Sequence, residues 1–302
     1  MINERRLQKQ INEKYADKGS KMNSGLFVRD FSEGYAYSLG TKDARRSFIT
    51  VEPDDSRVAE VLGLKRQHYS SFDFEQLVAS VIRSILLYGN AYIIVHPQFE
   101  TIAIENEEPQ EVLQKIELRE AKGIITKTTK EALTFWELGY SEKIVKRTLP
   151  LNCLIEFNIG ESGCSKRKMF RIKKQLDRCD LLSWDVDWFN TRDFDFDKHK
   201  EKSILKELKV TNELGWSPTG ESDYITDSFI LFRRIKQNVF KKRMLDLVIG
   251  KINDCLLVHL NSGCDEKIDG KIVVKYRESD YCGIWEKYQK GEISTGELVK
   301  ML

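Results

Sequence analysis

The chain has 302 residues, 41% of them hydrophobic and 32% charged, enough to pack one large or two ordinary domains. Lys+Arg 49 against Asp+Glu 47 leaves a formal charge of +2, which excludes a strong global pull toward polyanions and leaves any such binding to a local patch. The N-terminus MINERRLQKQINEKYADKGS has no apolar segment, and no stretch approaches the roughly 18 apolar residues of a membrane span. Neither a secretory signal nor a membrane partner is therefore expected, and the chain reads as a soluble intracellular protein.

In chain order, residues 3–16 read as a short charged helix. Gly34–Gly40 reads as a turn or short strand. Ser47–Val51 reads as a strand closed by Pro53-Asp54-Asp55-Ser56, residues that make turns and cap helices. A short helix follows with Val58, Val61 and Leu62 on one face.

The next signal is the clearest. Phe74, Leu77, Val78, Val81, Ile82 and Ile85 recur at helical spacing. Asp73 fits an N-cap, Gln76 completes a capping box, and Phe72 is placed to staple onto Leu77. Gly89 supplies a left-handed stop. Ala91–Val95 then reads as a buried strand ended by Pro97, with His96 at the strand end.

Residues 99–160 read as short strands with one insertion, an acidic loop at Glu105–Glu111. Strands are predicted at Ile124–Thr129 and, after Leu149-Pro150, at Cys153–Ile159. Composition turns basic and helical near Gly160–Lys166. Residues 166–180 form an amphipathic pattern on Met169, Ile172, Leu176 and Cys179. Trp184–Asp197 is irregular, 199–210 is a short helix and Leu214–Gly220 a loop. From Asp227 a long helix runs to about Leu260, with Gly263 as its stop and Gly250 as a weak point. Its apolar stripe is Phe232, Ile235, Val239, Leu245, Val248, Ile252 and Leu256. Lys271–Tyr276 reads as a strand, and Ser294–Glu297 as a capping box opening a last turn. The expected fold class is α+β: a mixed core of short strands with packed helices, plus a long helix in the C-terminal half. The expected division is an α/β core over 1–160 and a mainly helical region over 161–302, with the long helix at 228–260.

Catalytic signatures are absent: there is no phosphate loop, no nucleophile elbow and no metalloprotease motif. The six cysteines show no CxxC and no zinc-finger pairing with His, so reduced thiols, with no metal and no cofactor, are expected. Cys153 and Cys255 read as inert core thiols. Asp185, Asp187, Asp193, Asp195 and Asp197 alternate near Lys198 and Lys202, a pattern that would stack carboxylates for Mg²⁺ if it formed a strand. Arg233, Arg234, Lys236, Lys241, Lys242 and Arg243 make a basic run on the long helix. Lys166, Arg167, Lys168, Arg171, Lys173 and Lys174 make a second. Either run is a candidate phosphate contact or a solvated helix face. These residues leave open a metal-dependent nuclease and a non-catalytic interaction or defence protein of a mobile element.

The stretch Val58–Val95 resembles the portal proteins of tailed bacteriophages. The shared pattern is a short helix, a loop, a second helix and the phrase Leu86-Leu87-Tyr88-Gly89-Asn90-Ala91-Tyr92 running into a strand. The Leu149–Phe157 segment and the tail Gly291-Glu292-Ile293-Ser294 through Glu297 are similar to later portal segments. The resemblance implies a homo-oligomeric ring at a capsid vertex, in the virion or the host cytoplasm. Such a ring passes double-stranded DNA and docks terminase and head–tail connector proteins. It implies architectural roles for Gly89, Asn90 and Tyr92, no catalytic residue, and DNA-facing cations among Lys241, Lys242 and Arg243, with Arg233 and Arg234 beside them.

Overall fold

The structure is a computed structural model in which residues 4–15, 22–33, 49–53, 56–64, 68–102, 110–139, 142–184, 196–216, 227–261, 270–274, 281–294 and 296–298 are described. Its helices are α1 (Glu4–Tyr15), α2 (Met22–Ser32), α3 (Arg57–Val61), α4 (His68–Tyr88), α5 (Lys166–Trp184), α6 (Phe196–Leu214), α7 (Asp227–Asn261) and α8 (Tyr281–Gln289). Its strands are β1 (Ile49–Glu52), β2 (Asn90–Ile102), β3 (Gln110–Ala121), β4 (Gly123–Thr128), β5 (Ala132–Leu138), β6 (Ile144–Pro150), β7 (Leu154–Asn158) and β8 (Lys271–Val274). The fold is α+β, with small antiparallel sheets, packed helices and a 35-residue helix in the C-terminal half.

The chain forms two units, and each draws on three separate segments. One is Met1–Asp17, Arg45–Glu161 and Leu245–Lys275; the other is Lys18–Ala44, Ser162–Met244 and Tyr276–Leu302. The compositional shift near residue 160 coincides with one changeover between them. The other changeovers are not linear in sequence, and α7 contributes residues to both units.

The first unit is organised by β2. Ala91–Val95 are all buried, so the strand is covered on both faces. It is the middle strand of an antiparallel sheet ordered β3-β2-β7. Tyr92 and Ile94 pack with Leu133 and Phe135 of β5, the centre of a second sheet ordered β4-β5-β6. Alternation sends Ala91, Ile93 and Val95 to the opposite face. There α4 packs on β2 and β3 with Val78, Val81, Ile82 and Ile85 buried. Each such side chain contributes about 1.5–3 kcal/mol on removal from water. Trp136, next to Phe135 and so on the other face of β5, packs with Leu7, Ile11 and Tyr15, spaced four apart on α1.

Polar side chains tie these layers together. Glu137 of β5, 5% exposed, accepts from Arg119 of β3 and Arg147 of β6. Ser80 and Ser84 of α4 donate to Glu120 of β3. Outer strands are met in the same way. Arg57 donates to the Leu113 carbonyl of β3, and Lys251 to the Glu156 carbonyl of β7 at 2.6 Å. The Tyr15 hydroxyl donates to the Gly123 carbonyl of β4 at 2.9 Å, and Gln8 accepts from Ile144 N of β6 at 3.0 Å. In the third sheet, β1 paired with β8, Asn253 of α7 donates to Ile272 O at 2.9 Å and accepts from Ile272 N at 2.8 Å.

The second unit is helical. Phe27 and Phe31 of α2 are fully buried, against Trp216 and Phe240 at ring distances of 5.5 and 5.2 Å. The Trp216 indole donates to Asp30 at 3.0 Å. Met169, Ile172 and Leu176 form the buried stripe of α5. Gly215 ends α6 with φ +75°, and a Cβ there would meet Arg233 O of α7 at 2.1 Å.

Some sequence expectations need correction. The helix of the clearest periodic stretch begins at His68, so Asp73 is not its N-cap. Asp73 and Gln76 lie exposed inside the helix, where short polar residues are tolerated facing water. Strand β2 continues through Pro97 to Ile102, which also puts His96 inside the strand. Among the described residues β2 is paired with β3 alone from Val95 onward, and a proline is accepted where no ladder hydrogen bond is needed on the other side. The Ser294–Glu297 capping box is present in both directions: Glu297 N donates to Ser294 Oγ at 3.3 Å and Ser294 N to Glu297 Oε2 at 2.8 Å. Gly34–Gly40, most of the 105–111 loop and Gly263 lie outside the described residues.

Two outcomes are expected. Apart from the neighbouring backbone of its own helix, no heavy atom lies within 4 Å of a Cβ built on Gly250, in the interior of α7. Gly250→Ala therefore stabilises by about 0.5–1 kcal/mol, read as a higher urea midpoint at unchanged slope. For Glu137, burial raises the carboxyl pKa, but hydrogen bonds from Arg119 and Arg147 outweigh it and leave the group below its ordinary value. Its contribution is thus complete above the ordinary value of 4.5 and is lost as pH falls through the lowered folded value. Glu137→Gln costs about 2 kcal/mol at neutral pH and flattens the acid limb of a stability-versus-pH curve.

Candidate functional site

The phrase Gly89-Asn90-Ala91-Tyr92 joins α4 to β2 with no intervening loop. Gly89 has φ +82° and its N–H donates to Ile85 O at 2.8 Å, closing the helix. Its own carbonyl accepts from Ile159 N at 3.1 Å, so the stop is tied to the segment after β7. The Asn90 amide donates to the Tyr92 hydroxyl at 2.8 Å, which donates to Glu156 Oε1 at 3.2 Å. Asn90 Oδ1 is buried with no hydrogen-bond partner. Burial, with the Glu156 carboxylate nearby, pushes the Tyr92 phenol well above its usual range. Burial does the same to Tyr15, beside it in this cluster. The Lys14 ammonium lies 4.8 Å from the Tyr15 ring and 5.4 Å from the Tyr92 ring. Phenols held this firmly in the neutral form are hydrogen-bonding struts, not bases.

The basic run of α7 does not form one patch. Arg234 and Arg243 are exposed, while Arg233 and Lys242 are half-buried. Arg233 Nε donates to Gly215 O at 3.5 Å. Lys241 is 5% exposed, and burial pulls its ammonium down to about 8 against the opposing pull of Asp30. Lys236 and Arg243, seven residues apart and so on one helix face, line a cavity of about 420 Å³ in the helical unit. Lys168, Glu213 and Glu286 add charge to its wall, and Leu214, Ile235 and Phe240 supply apolar surface. Glu213 sits 3.4 Å from Lys168 and 3.3 Å from Arg171. Sequence reasoning missed this arrangement because Glu213 lies on another helix, and nothing local marks it.

Among the described residues the cysteines and histidines do not assemble a reactive centre. Burial pushes the Cys255 thiol up to about 11, and it donates to Asn152 O at 3.3 Å. His259 Nε2 lies 2.8 Å from the same oxygen. Burial also raises the thiols of Cys153 and Cys164. Among the described residues no group of three His, Cys, Asp or Glu is placed to hold a metal ion, and no helix is long and apolar enough to cross a membrane. Asp185, Asp187, Asp193 and Asp195 lie outside the described residues, and Asp197 falls in the first turn of α6. No model of a known protein family and no curated protein matches the chain.

Lys241 gives a pH test. With its folded value near 8 against an ordinary 10.5, the unfolded chain binds more protons between those limits, so stability rises with pH across that window. Lys241→Met is expected to stabilise at pH 7 by roughly 1–3 kcal/mol and to remove this rise. Chemical denaturation at pH 7, 8, 9 and 10 measures both effects.

Proposed function

We propose that this chain is a portal-like structural subunit, assembling into a ring that passes double-stranded DNA and docks terminase and head–tail connector proteins. The observation that supports this reading is the junction at Gly89. A helix preceded by a short helix ends on a left-handed glycine and enters directly a strand buried on both faces. That is the element whose sequence resembles portals, and its residues act in packing and hydrogen bonding rather than in chemistry. Of the five α7 cations that the resemblance places toward DNA, Arg234 and Arg243 are exposed and would be the phosphate contacts; Lys241 would not. The ring would be found in the virion or in the host cytoplasm before packaging.

Size-exclusion chromatography with light scattering tests the proposal. The expected result is a discrete particle of many times the 35.2 kDa chain mass. A strict monomer at high protein concentration would overturn it.

A further inference from the structure

The outward face of α5 shows a pattern that the ring reading does not require. Met169, Ile172 and Leu176 are buried and fix the inner stripe of the helix. On the opposite arc, at 100° per residue, lie Lys166, Arg167, Phe170, Arg171 and Lys174, all exposed. Arg171 pairs with Glu213 at 3.3 Å. Among the described residues no carboxylate pairs with Lys166, Arg167 or Lys174. Phe170, at the centre of this arc, is 65% exposed, more than any other large apolar side chain described.

Two physical costs mark this face. A phenylalanine ring left in water forfeits its burial energy. Lys166, Arg167 and Lys168 occupy the first turn of a helix capped by Ser165, whose Oγ accepts from Lys168 N at 3.2 Å. The helix dipole disfavours cations there and favours anions. The two effects add in the space outside the turn: Lys166 and Arg167, with a row of helix N–H groups, give one positive field, the setting in which phosphate binds, while Lys168 is turned to Glu213 at 3.4 Å.

We propose that this face binds single-stranded nucleic acid, with Lys166, Arg167 and Lys174 against phosphates and Phe170 stacked on a base. The cations alone would suit any polyanion. The exposed ring between them selects the single strand, since a duplex keeps its base faces stacked inside while a single strand offers them to aromatic side chains. The surface is separate from the exposed cations of α7 and does not depend on ring formation.

Fluorescence anisotropy of a labelled oligothymidylate 20-mer with the full chain tests this between 50 and 200 mM KCl. Affinity should fall with salt at a log–log slope of about −2 for three phosphate contacts. Phe170→Ala should weaken binding roughly five- to a hundredfold and leave that slope unchanged. The triple variant Lys166→Glu, Arg167→Glu, Lys174→Glu should weaken binding more than tenfold and flatten the slope. It should also melt at the same or a higher temperature, because carboxylates suit a first helical turn. Unchanged affinity in either variant overturns the proposal. So does tighter binding of a duplex of equal length, or equal binding to anionic vesicles that Phe170→Ala does not weaken. Particle mass from light scattering is read separately, so failure of the ring and failure of this surface are distinguishable.

Discussion

A strand covered on both faces leaves no room for a slack connection, and β2 imposes that constraint on everything around it. Its residues 91–95 are buried between α4 and the sheet centred on β5. The chain must therefore leave α4 and enter β2 within one residue. Gly89 does this with a backbone conformation that other residues adopt only at a cost of roughly 1–2 kcal/mol. The Asn90–Tyr92–Glu156 chain of hydrogen bonds then ties the entry to β7. The Ser80, Ser84 and Glu120 contacts hold the helix over β3.

Among the described residues, the outer strands of this unit are met by side chains. Arg57, Lys251, Tyr15, Gln8 and Asn253 each satisfy a backbone group on an outer strand. Unpaired edges invite strand addition by other chains, and occupying them with side chains discourages it.

The sequence reveals most where the signal is local. Helix α7 was legible almost to the residue, because apolar residues recur from Phe232 to Leu256 behind Asp227, a residue type that opens helices, and no proline interrupts them. The Ser294–Glu297 box was legible because both partners lie within one turn. The start of α4 was misread because Asp73 and Gln76 imitate a cap that the preceding residues override. The passage of β2 through Pro97 was hidden because its permission comes from β7 ending its pairing at Ile94. Among the candidate site residues, Gly89 and Tyr92 sit where the pattern implied. Lys241 does not, since it is buried within reach of Asp30, far away in sequence, and a short-range charge count reads it as surface.

The threading of the chain has a consequence for how the molecule comes apart. Each unit is assembled from three segments far apart in sequence, and α7 belongs to both. No contiguous fragment contains one whole unit without residues of the other. A cut between segments leaves partners that must find each other again, and closing such long loops is what makes folding slow. The polypeptide therefore behaves less like two beads on a string than like a double stitch, in which releasing one thread loosens both seams.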